Sequence, residues 1–243
     1  MLDGAFLFPM TPPTPGEQAG PLRRAWIWSI RTFFRLLYGP AAWTYDAVAW
    51  LVSLGQWTEW VWVALRFVDG PAVLELGHGP GHLQLAFSEA DLAPVGVDLS
   101  PQMGRLARRR LQRAGVTPRL VRARAQALPF PSGTFSDTVA TFPTEYILDP
   151  ATLAEVRRVL GREGALVVVA SGRLTGRDPV SRGLEWLYTV TGQRAPVPHG
   201  DEVPLTESGL ALAFEWVPAR WSRVLVVTGR PVEGKATAGD TSE

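Results

Sequence analysis

A glycine-rich turn at residues 73–82, VLELGHGPGH, constrains the fold of this chain more than any other feature. Four apolar or acidic residues of strand character lead into glycines at positions 77, 79 and 81, and a helical pattern follows. A glycine turn between a first strand and a first helix lets the backbone approach a ligand closely and directs free amide groups at it. The turn therefore predicts an α/β fold that binds a ligand at this point.

The chain after Pro71 alternates short apolar runs with helical stretches, which is typical of a parallel sheet built from strand–helix–strand units. Capping residues followed by proline mark two helix starts, at Ser100 and Asp149. Two further strands are predicted within 211–230. We therefore predict an α/β, doubly wound, mostly parallel seven-stranded sheet (Rossmann-like), with an antiparallel edge. The first five predicted strands are AVLELG, PVGVDLS, RLVRARA, DTVATF and GALVVVA.

The segment before this domain divides into a disordered lead-in, 1–21, and an N-terminal helical cap or interfacial segment, 22–68. Within 22–38, tryptophan and other apolar residues recur at helical spacing opposite three arginines, a pattern of helices that lie in a membrane interface. A lid over an apolar pocket is the alternative. Asp46 and Glu59 interrupt the apolar runs, so no membrane span is predicted. The domain itself is expected over 69–230, with a flexible tail at 231–243.

Charge and cysteine content exclude several function classes. The chain has 243 residues, a formal net charge of +1 and no cysteine. It therefore forms no disulfide, thiolate zinc site or cysteine nucleophile, and it suits a reducing cytoplasm. The near-neutral charge argues against a nucleic-acid partner, and the arginines of 105–113 are interpreted as a solvated helix face. We predict a cytoplasmic protein. Peripheral attachment to the inner face of the membrane is the alternative location.

Three ligands fit the glycine turn poorly. A mononucleotide phosphate loop needs a lysine after its last glycine, where His82 stands. A dinucleotide fingerprint needs glycine or alanine at that same position. Metal binding by His78 and His82 would require the pair on one helical face, but a Gly-Pro-Gly segment separates them and no third ligand is evident. No metal site is therefore predicted.

A fourth interpretation rests on four motifs in order. The turn has the pattern E-x-G-x-G-x-G from Glu75 to Gly81, and Asp98 ends the second strand. GVDLSPQM, ALPFPSGTF and VRRVLGREGALVVV follow. In these motifs residues 45–171 resemble the class I S-adenosylmethionine-dependent methyltransferases, nearest the branch of ubiquinone and menaquinone C-methyltransferases.

The resemblance implies S-adenosylmethionine as cofactor and a role for each matched residue. The three glycines would leave room for its methionine portion. Asp98 would accept hydrogen bonds from the ribose hydroxyls, with Leu99 and Met103 flanking the adenine. Glu145 and Tyr146, just after the fourth strand, are the candidate catalytic residues. The predicted cofactor site is Glu75, Gly77, His78, Gly79, Gly81, Asp98, Leu99, Met103, Ala125, Gln126 and Thr141, and the predicted acceptor site is Tyr38, Tyr45 and Phe142.

Two positions depart from the family pattern. Arg124 stands where relatives carry an aspartate that meets the adenine amino group, so adenine contact would rest on Ala125 and Gln126. The usual Phe-Asp pair of the fourth strand reads Phe135-Ser136, with Asp137 one place later. Either that strand starts one residue late or the role of the acid is lost.

The predicted activity is in-line methyl transfer from S-adenosylmethionine to a small, apolar or lipid-like acceptor. A quinone-like ring carbon, a lipid amine and a small secondary metabolite all fit the sequence as acceptors. The alternatives are an NAD-dependent oxidoreductase and a non-catalytic cofactor-binding scaffold at the membrane surface. No oligomeric state follows from the sequence.

Overall fold

A computed structural model describes residues 44–176, 178–190, 203–205 and 209–232, without the side chains of 145, 187–190 and 203–205. The predicted lead-in, the interfacial segment 22–38 with Tyr38, and residues 233–243 of the tail lie outside this part of the chain. The strands are β1 Ala72–Leu76, β2 Ala93–Val97, β3 Leu120–Val121, β4 Phe135–Thr141, β5 Leu160–Leu174, β6 Val203–Leu205, β7 Leu210–Ala219 and β8 Ser222–Pro231. The α-helices are α1 Tyr45–Ser53, α2 Trp57–Trp62, α3 His82–Glu89, α4 Pro101–Arg113, α5 Pro150–Val159 and α6 Pro179–Val190, and two 3-10 helices span Val63–Phe67 and Glu145–Leu148.

The strands form one sheet in the order β3-β2-β1-β4-β5-β8-β7-β6. Strands β1 to β5 are parallel to one another, whereas β8 is antiparallel to β5 and β7 is antiparallel to β8. The predicted doubly wound sheet with an antiparallel edge is confirmed. The three-residue strand β6 adds an eighth, edge strand by pairing with β7, where the sequence pattern predicts the end of a loop.

Both predicted helix starts carry the expected side-chain caps. Ser100 Oγ accepts a hydrogen bond from the Met103 backbone nitrogen at 3.2 Å, and Asp149 Oδ1 accepts one from Ala151 at 2.9 Å. Helix α5 ends at Val159. The reason is tertiary, because the next residue already pairs with β4 as the start of β5.

The pairing of β4 with β5 settles what happens at the Phe135-Ser136 departure. The strand starts at Phe135, and its register with β5 shifts between Phe135 and Asp137. The Asp137 carboxylate is buried, and its Oδ2 accepts from the Gly70 backbone nitrogen at 3.1 Å while its Oδ1 accepts from the Ala165 backbone nitrogen at 3.3 Å. Asp137 therefore anchors the chain just before β1 from its shifted position.

Residues from the predicted helical cap take part in the main core. Trp60 and Val61 of α2 are buried with Val73 of β1 and Phe87 of α3 on one face of the sheet. The Trp60 indole nitrogen also donates to Ser222 Oγ at 2.8 Å, which fixes α2 to the start of β8. Helix α2 thus stands beside the carboxyl ends of the parallel strands. Within the described ranges, no helix combines the length and apolar character that a membrane span requires.

Candidate functional site

A cavity of about 630 Å³ opens at the carboxyl ends of β1, β2 and β4. The chain leaves each parallel strand at this edge, so loops from several strands converge there. The structure brings most of the predicted site residues together in this cavity. Those that line it are Tyr45, Glu75, Gly77, His78, Gly79, Asp98, Leu99, Ala125, Gln126, Thr141, Phe142 and Tyr146.

Gly81 and Met103 belong to the predicted cofactor set but lie outside the cavity lining. Gly81 has φ +84° at the start of α3, and a Cβ atom there would come 2.8 Å from the Cβ of Ala107. This glycine therefore allows α3 to pack closely against α4. Met103 is fully buried on α4. Gly81 therefore has a packing role, and Met103 belongs to the buried core.

The glycine turn itself has the open backbone that the sequence predicts. Gly77 and Gly79 have φ +71° and +51°, values that favour glycine. The Gly77 nitrogen donates to the Val97 carbonyl at 2.7 Å, which ties the turn to β2. Among the described atoms, the nearest to a Cβ on Gly79 would be the Gly77 carbonyl oxygen, 4.0 Å away. The space beside Gly79 is therefore free for a ligand.

Asp98 stands opposite this turn and holds it in place. Its Oδ2 accepts a hydrogen bond from the Gly79 backbone nitrogen at 2.9 Å, and its Oδ1 accepts from Ser100 at 2.7 Å. Each carboxylate oxygen can accept two hydrogen bonds, so both keep capacity for the hydroxyl groups of a ligand.

A buried carboxyl group lies beneath the turn. Glu75 is fully buried, and burial raises its pKa to about 8 although the Gln84 side chain donates to its Oε2 at 2.8 Å. Burial likewise lowers the pKa of His78, whereas the charge of Asp98 acts in the opposite direction. Because its pKa is raised to about 8, Glu75 is protonated at neutral pH in the cofactor-free protein.

The two histidines of the turn are engaged by different partners. His78 Nδ1 lies 2.8 Å from the Gly79 carbonyl oxygen, which requires the proton on that nitrogen. His82 Nε2 lies 2.8 Å from Asp46 Oδ1 on helix α1. In the part of the chain that the structure describes, no three histidine, cysteine or acidic side chains cluster as metal ligands would.

Aromatic side chains form the other half of the cavity. Trp57 stacks on Phe142 with ring centroids 4.4 Å apart and an interplanar angle of 28°, and Tyr45 meets Trp57 edge-on at 6.1 Å. Phe142 has φ +45°, an unusual backbone conformation for a bulky residue that is typical of functional sites. The Tyr146 hydroxyl donates to the Leu76 carbonyl at 3.1 Å and so lies between the aromatic half and the glycine turn.

Arg124, the first departure from the family pattern, lies on the side of the cavity where the adenine is expected. Arg124 and Ala125 both line the cavity. The Gln126 amide nitrogen donates to Asp149 Oδ2 at 3.0 Å, which leaves its amide oxygen and its backbone for a ligand. Glu145 begins the 3-10 helix after β4, and its side chain is outside the described part of the chain.

Sequence reasoning missed one link between helices α1, α3 and α4. Asp46 of α1 bridges His82 at the start of α3 and Arg110 of α4, and the hydrogen bond from His82 lowers its pKa. From the sequence, Asp46 was identified only as a residue that interrupts an apolar run. Trp57 was missed as a lining residue too, although it lies in a tryptophan-rich stretch.

These residues fit S-adenosylmethionine. The space beside Gly79 suits the methionine portion, the two oxygens of Asp98 suit a ribose diol, and buried Glu75 places an acid under the turn. The fit uses side chains and backbone that are already arranged around one cavity.

Comparison with known proteins places the chain in a family. Residues 73–164 match the model of a methyltransferase domain. The chain is 30% identical over 191 residues to a demethylmenaquinone methyltransferase of Symbiobacterium thermophilum, covering 74% of this chain and 68% of that protein. It is 36% identical over 133 residues to a demethylmenaquinone methyltransferase of Thermus thermophilus, covering 51% of this chain and 60% of that protein.

A solved structure shows the same fold at lower identity. A putative S-adenosylmethionine-dependent methyltransferase from Methanococcus maripaludis has a TM-score of 0.55 at 13% identity, covering 82% of this chain and 96% of that one. The similar proteins are named as methyltransferases, which decides against the oxidoreductase and the non-catalytic scaffold. The chain belongs to the class I S-adenosylmethionine-dependent methyltransferases, near the ubiquinone and menaquinone C-methyltransferase branch, and its cofactor is S-adenosylmethionine.

Proposed function

We propose that this enzyme methylates a ring atom of a small, apolar, quinol-like acceptor. The observation that carries the proposal is the stack of Trp57 on Phe142, which shares one cavity with the glycine turn. Two nearly parallel rings 4.4 Å apart form a flat apolar wall, and aromatic rings pack well against such a surface. The names of the Symbiobacterium and Thermus relatives support an acceptor of this class.

The cofactor supplies a methyl group on a sulfonium, which is already activated for in-line displacement. What the protein must add is mainly orientation, because positioning the reacting atoms contributes several kcal/mol to such a reaction, about 7 to 11 in favourable cases. Gly77, Gly79 and Asp98 would hold the cofactor on one side, and the aromatic wall would hold the acceptor on the other. The aromatic half would also shield part of the acceptor from water.

Tyr146 is the best placed group for a polar role at the reacting position. Its hydroxyl donates to the Leu76 carbonyl, and a Cβ on Gly77 would lie 2.8 Å from that hydroxyl. We propose that Tyr146 orients the acceptor hydroxyl group next to the ring atom that is methylated. Glu145, the adjacent acid, is proposed as the base that removes a proton from a phenolic acceptor.

A labelled-methyl assay tests the acceptor class. The purified chain is incubated with methyl-labelled S-adenosylmethionine and, separately, a demethylated quinol, a lipid amine and a water-soluble catechol. Label should enter the quinol, and mass spectrometry should place it on a ring carbon. Transfer to the lipid amine instead would contradict the proposal while leaving the methyltransferase assignment intact.

We further propose that the enzyme acts in the cytoplasm on an acceptor held near the inner face of the membrane. An apolar acceptor of this class partitions into lipid, which supports such a location. The proposed domain of residues 69–230 would then carry the chemistry, and the segment 22–68 would adjoin the acceptor. Fractionation of cells that express the full chain checks the location.

A further inference from the structure

We infer that one end of the sheet, where α6 lies near the β7–β8 turn, docks on an anionic lipid bilayer. This inference goes beyond the proposed function, because it assigns a binding surface and its partner. The surface, called here the docking edge, consists of Val180, Arg182, Trp186, Arg220, Trp221 and Arg223.

The docking edge exposes large apolar side chains at its outermost points. Trp186 is 66% exposed, Val180 is 59% exposed and Trp221 is 48% exposed. Trp186 lies four residues after Arg182, so both are on one face of α6, away from its buried residue Ser181. Tryptophan is favoured at membrane–water interfaces, where its ring meets both the headgroups and the hydrocarbon.

The two parts of the docking edge are held together by contacts at the end of β5. The Trp221 carbonyl accepts a hydrogen bond from the Thr175 backbone nitrogen at 3.0 Å. The preceding residue, Leu174, donates its backbone N–H to Glu185 Oε1 at 2.8 Å, and Glu185 is the neighbour of Trp186. The two exposed tryptophans therefore belong to one continuous surface.

Positive charge at this edge is arranged as an anion partner would require. Arg173 and Arg223 are direct neighbours across β5 and β8, and Arg173 Nε also lies 4.0 Å from Glu185 Oε2. Both guanidinium groups lie against the ring of Trp216, at 5.8 and 5.9 Å. Arg220 stacks on Trp221 at 4.4 Å. Arg182, Arg220 and Arg223 would meet anionic headgroups while the tryptophans insert.

The docking edge also lies next to the aromatic half of the cavity, where the acceptor is proposed to bind. Strand β5 is parallel to β4, so its end at Leu174 is on the same side of the sheet as the cavity. Phe142 of the aromatic wall lies 6.0 Å from Trp60, and Trp60 donates to Ser222, the residue after Trp221. Docking would therefore bring the aromatic wall close to the bilayer that dissolves an apolar acceptor.

Vesicle flotation of the full chain tests this inference. Vesicles of phosphatidylcholine with phosphatidylglycerol should bind the protein, and the binding should fall with added salt and be weaker on phosphatidylcholine alone. Arg182→Glu should weaken binding on the order of tenfold. Trp186→Ser should weaken it as well, without changing the salt dependence.

Matched variants at the opposite end of the sheet serve as controls. Arg162→Glu makes the same change in net charge as Arg182→Glu at the start of β5, and Val232→Ser, like Trp186→Ser, replaces an exposed apolar side chain by serine, but beyond the other end of β8. We expect binding of both controls within about twofold of the unsubstituted chain, because neither residue belongs to the docking edge. Equal losses of vesicle binding in Arg182→Glu and Arg162→Glu would show that binding depends only on net charge. That result would overturn the inference.

Two further results would also overturn it. Vesicle binding that persists unchanged in Trp186→Ser and Arg182→Glu would place the lipid contact elsewhere in the chain. A change in oligomeric state in those variants without lipid would make the edge an interface between copies. Flotation uses no acceptor, so its result is independent of the labelled-methyl assay.

Discussion

Trp57 of α2 stacks on Phe142, the residue that follows β4, and both side chains line the cavity. The two residues are far apart in the chain, and the contact requires Phe142 to adopt a φ of +45°. An aromatic wall of this kind restricts the orientation of a flat acceptor without using a polar contact.

Trp57→Leu should raise the KM for a quinol acceptor by about tenfold, because the loss of one aromatic stacking contact costs about 0.5 to 1.5 kcal/mol beyond the lost buried area. Affinity for S-adenosylhomocysteine, measured by calorimetric titration, should stay within about twofold. Trp50→Leu is the control, since Trp50 is exposed on the neighbouring helix. Equal effects in both variants would argue against the aromatic wall.

Asp98→Asn should weaken cofactor binding by about 1.5 to 3 kcal/mol, the range for a hydrogen bond to a charged group. The amide keeps the shape of the carboxylate but cannot accept on both sides, where Gly79 and Ser100 now donate. Calorimetric titration measures the change. Asp91→Asn is the matched control at an exposed position, and unchanged affinity in a folded Asp98→Asn variant would refute the assignment.

Gly79→Ala and Gly81→Ala should separate ligand binding from packing. The first places a methyl group in the cavity and should mainly reduce S-adenosylhomocysteine affinity. The second places a methyl group 2.8 Å from Ala107 and should mainly lower the melting temperature, with a cost of about 1 to 3 kcal/mol from overpacking. Thermal denaturation and titration on both variants check the contrast, which fails if their effects are the same.

Glu75 should make stability fall with rising pH. Burial raises its pKa from 4.5 to about 8 in the folded protein, so the folded state holds a proton that the unfolded state has lost. This contribution is fully present below pH 4.5 and is lost as the pH rises to about 8. The slope is at most about 1.4 kcal/mol per pH unit.

Urea denaturation between these pH values measures that slope. Glu75→Gln mimics the protonated acid and should remain folded with a flatter dependence on pH, whereas Glu89→Gln, at an exposed site, should retain the slope. A slope that persists in Glu75→Gln would assign the dependence to another group.

Asp46→Asn should loosen α1 from the rest of the molecule. The hydrogen bond from His82 holds the pKa of Asp46 below 3.8, so its contribution is present above that pH and is lost as the pH falls through the lowered value. Asp46 is half exposed, which limits the effect to less than about 1 kcal/mol. Limited proteolysis at residues 45–53 should become faster than in the control Glu59→Gln, and equal rates would argue against the link.

Features with local causes could be predicted from the amino-acid sequence. Three glycines in a strand-to-helix turn need positive φ angles, so the turn was predictable without knowledge of the rest of the fold. Ser100 and Asp149 cap helices through backbone groups two or three residues away. Asp98 follows the second strand, and neighbouring parallel strands of an α/β sheet end side by side. Its carboxylate therefore contacts the glycine turn that follows the first strand.

Tertiary structure alone decided the contacts between distant segments. Gly81 is required by Ala107 on another helix, and Asp137 anchors the chain before β1 through the backbone nitrogen of Gly70, a residue 67 positions away in the sequence. The pairing of Trp57 with Phe142 depends on how α2 packs against the sheet. Side-chain periodicity within a segment specifies which face is buried, but the partner of that face is set by the packing of the whole chain.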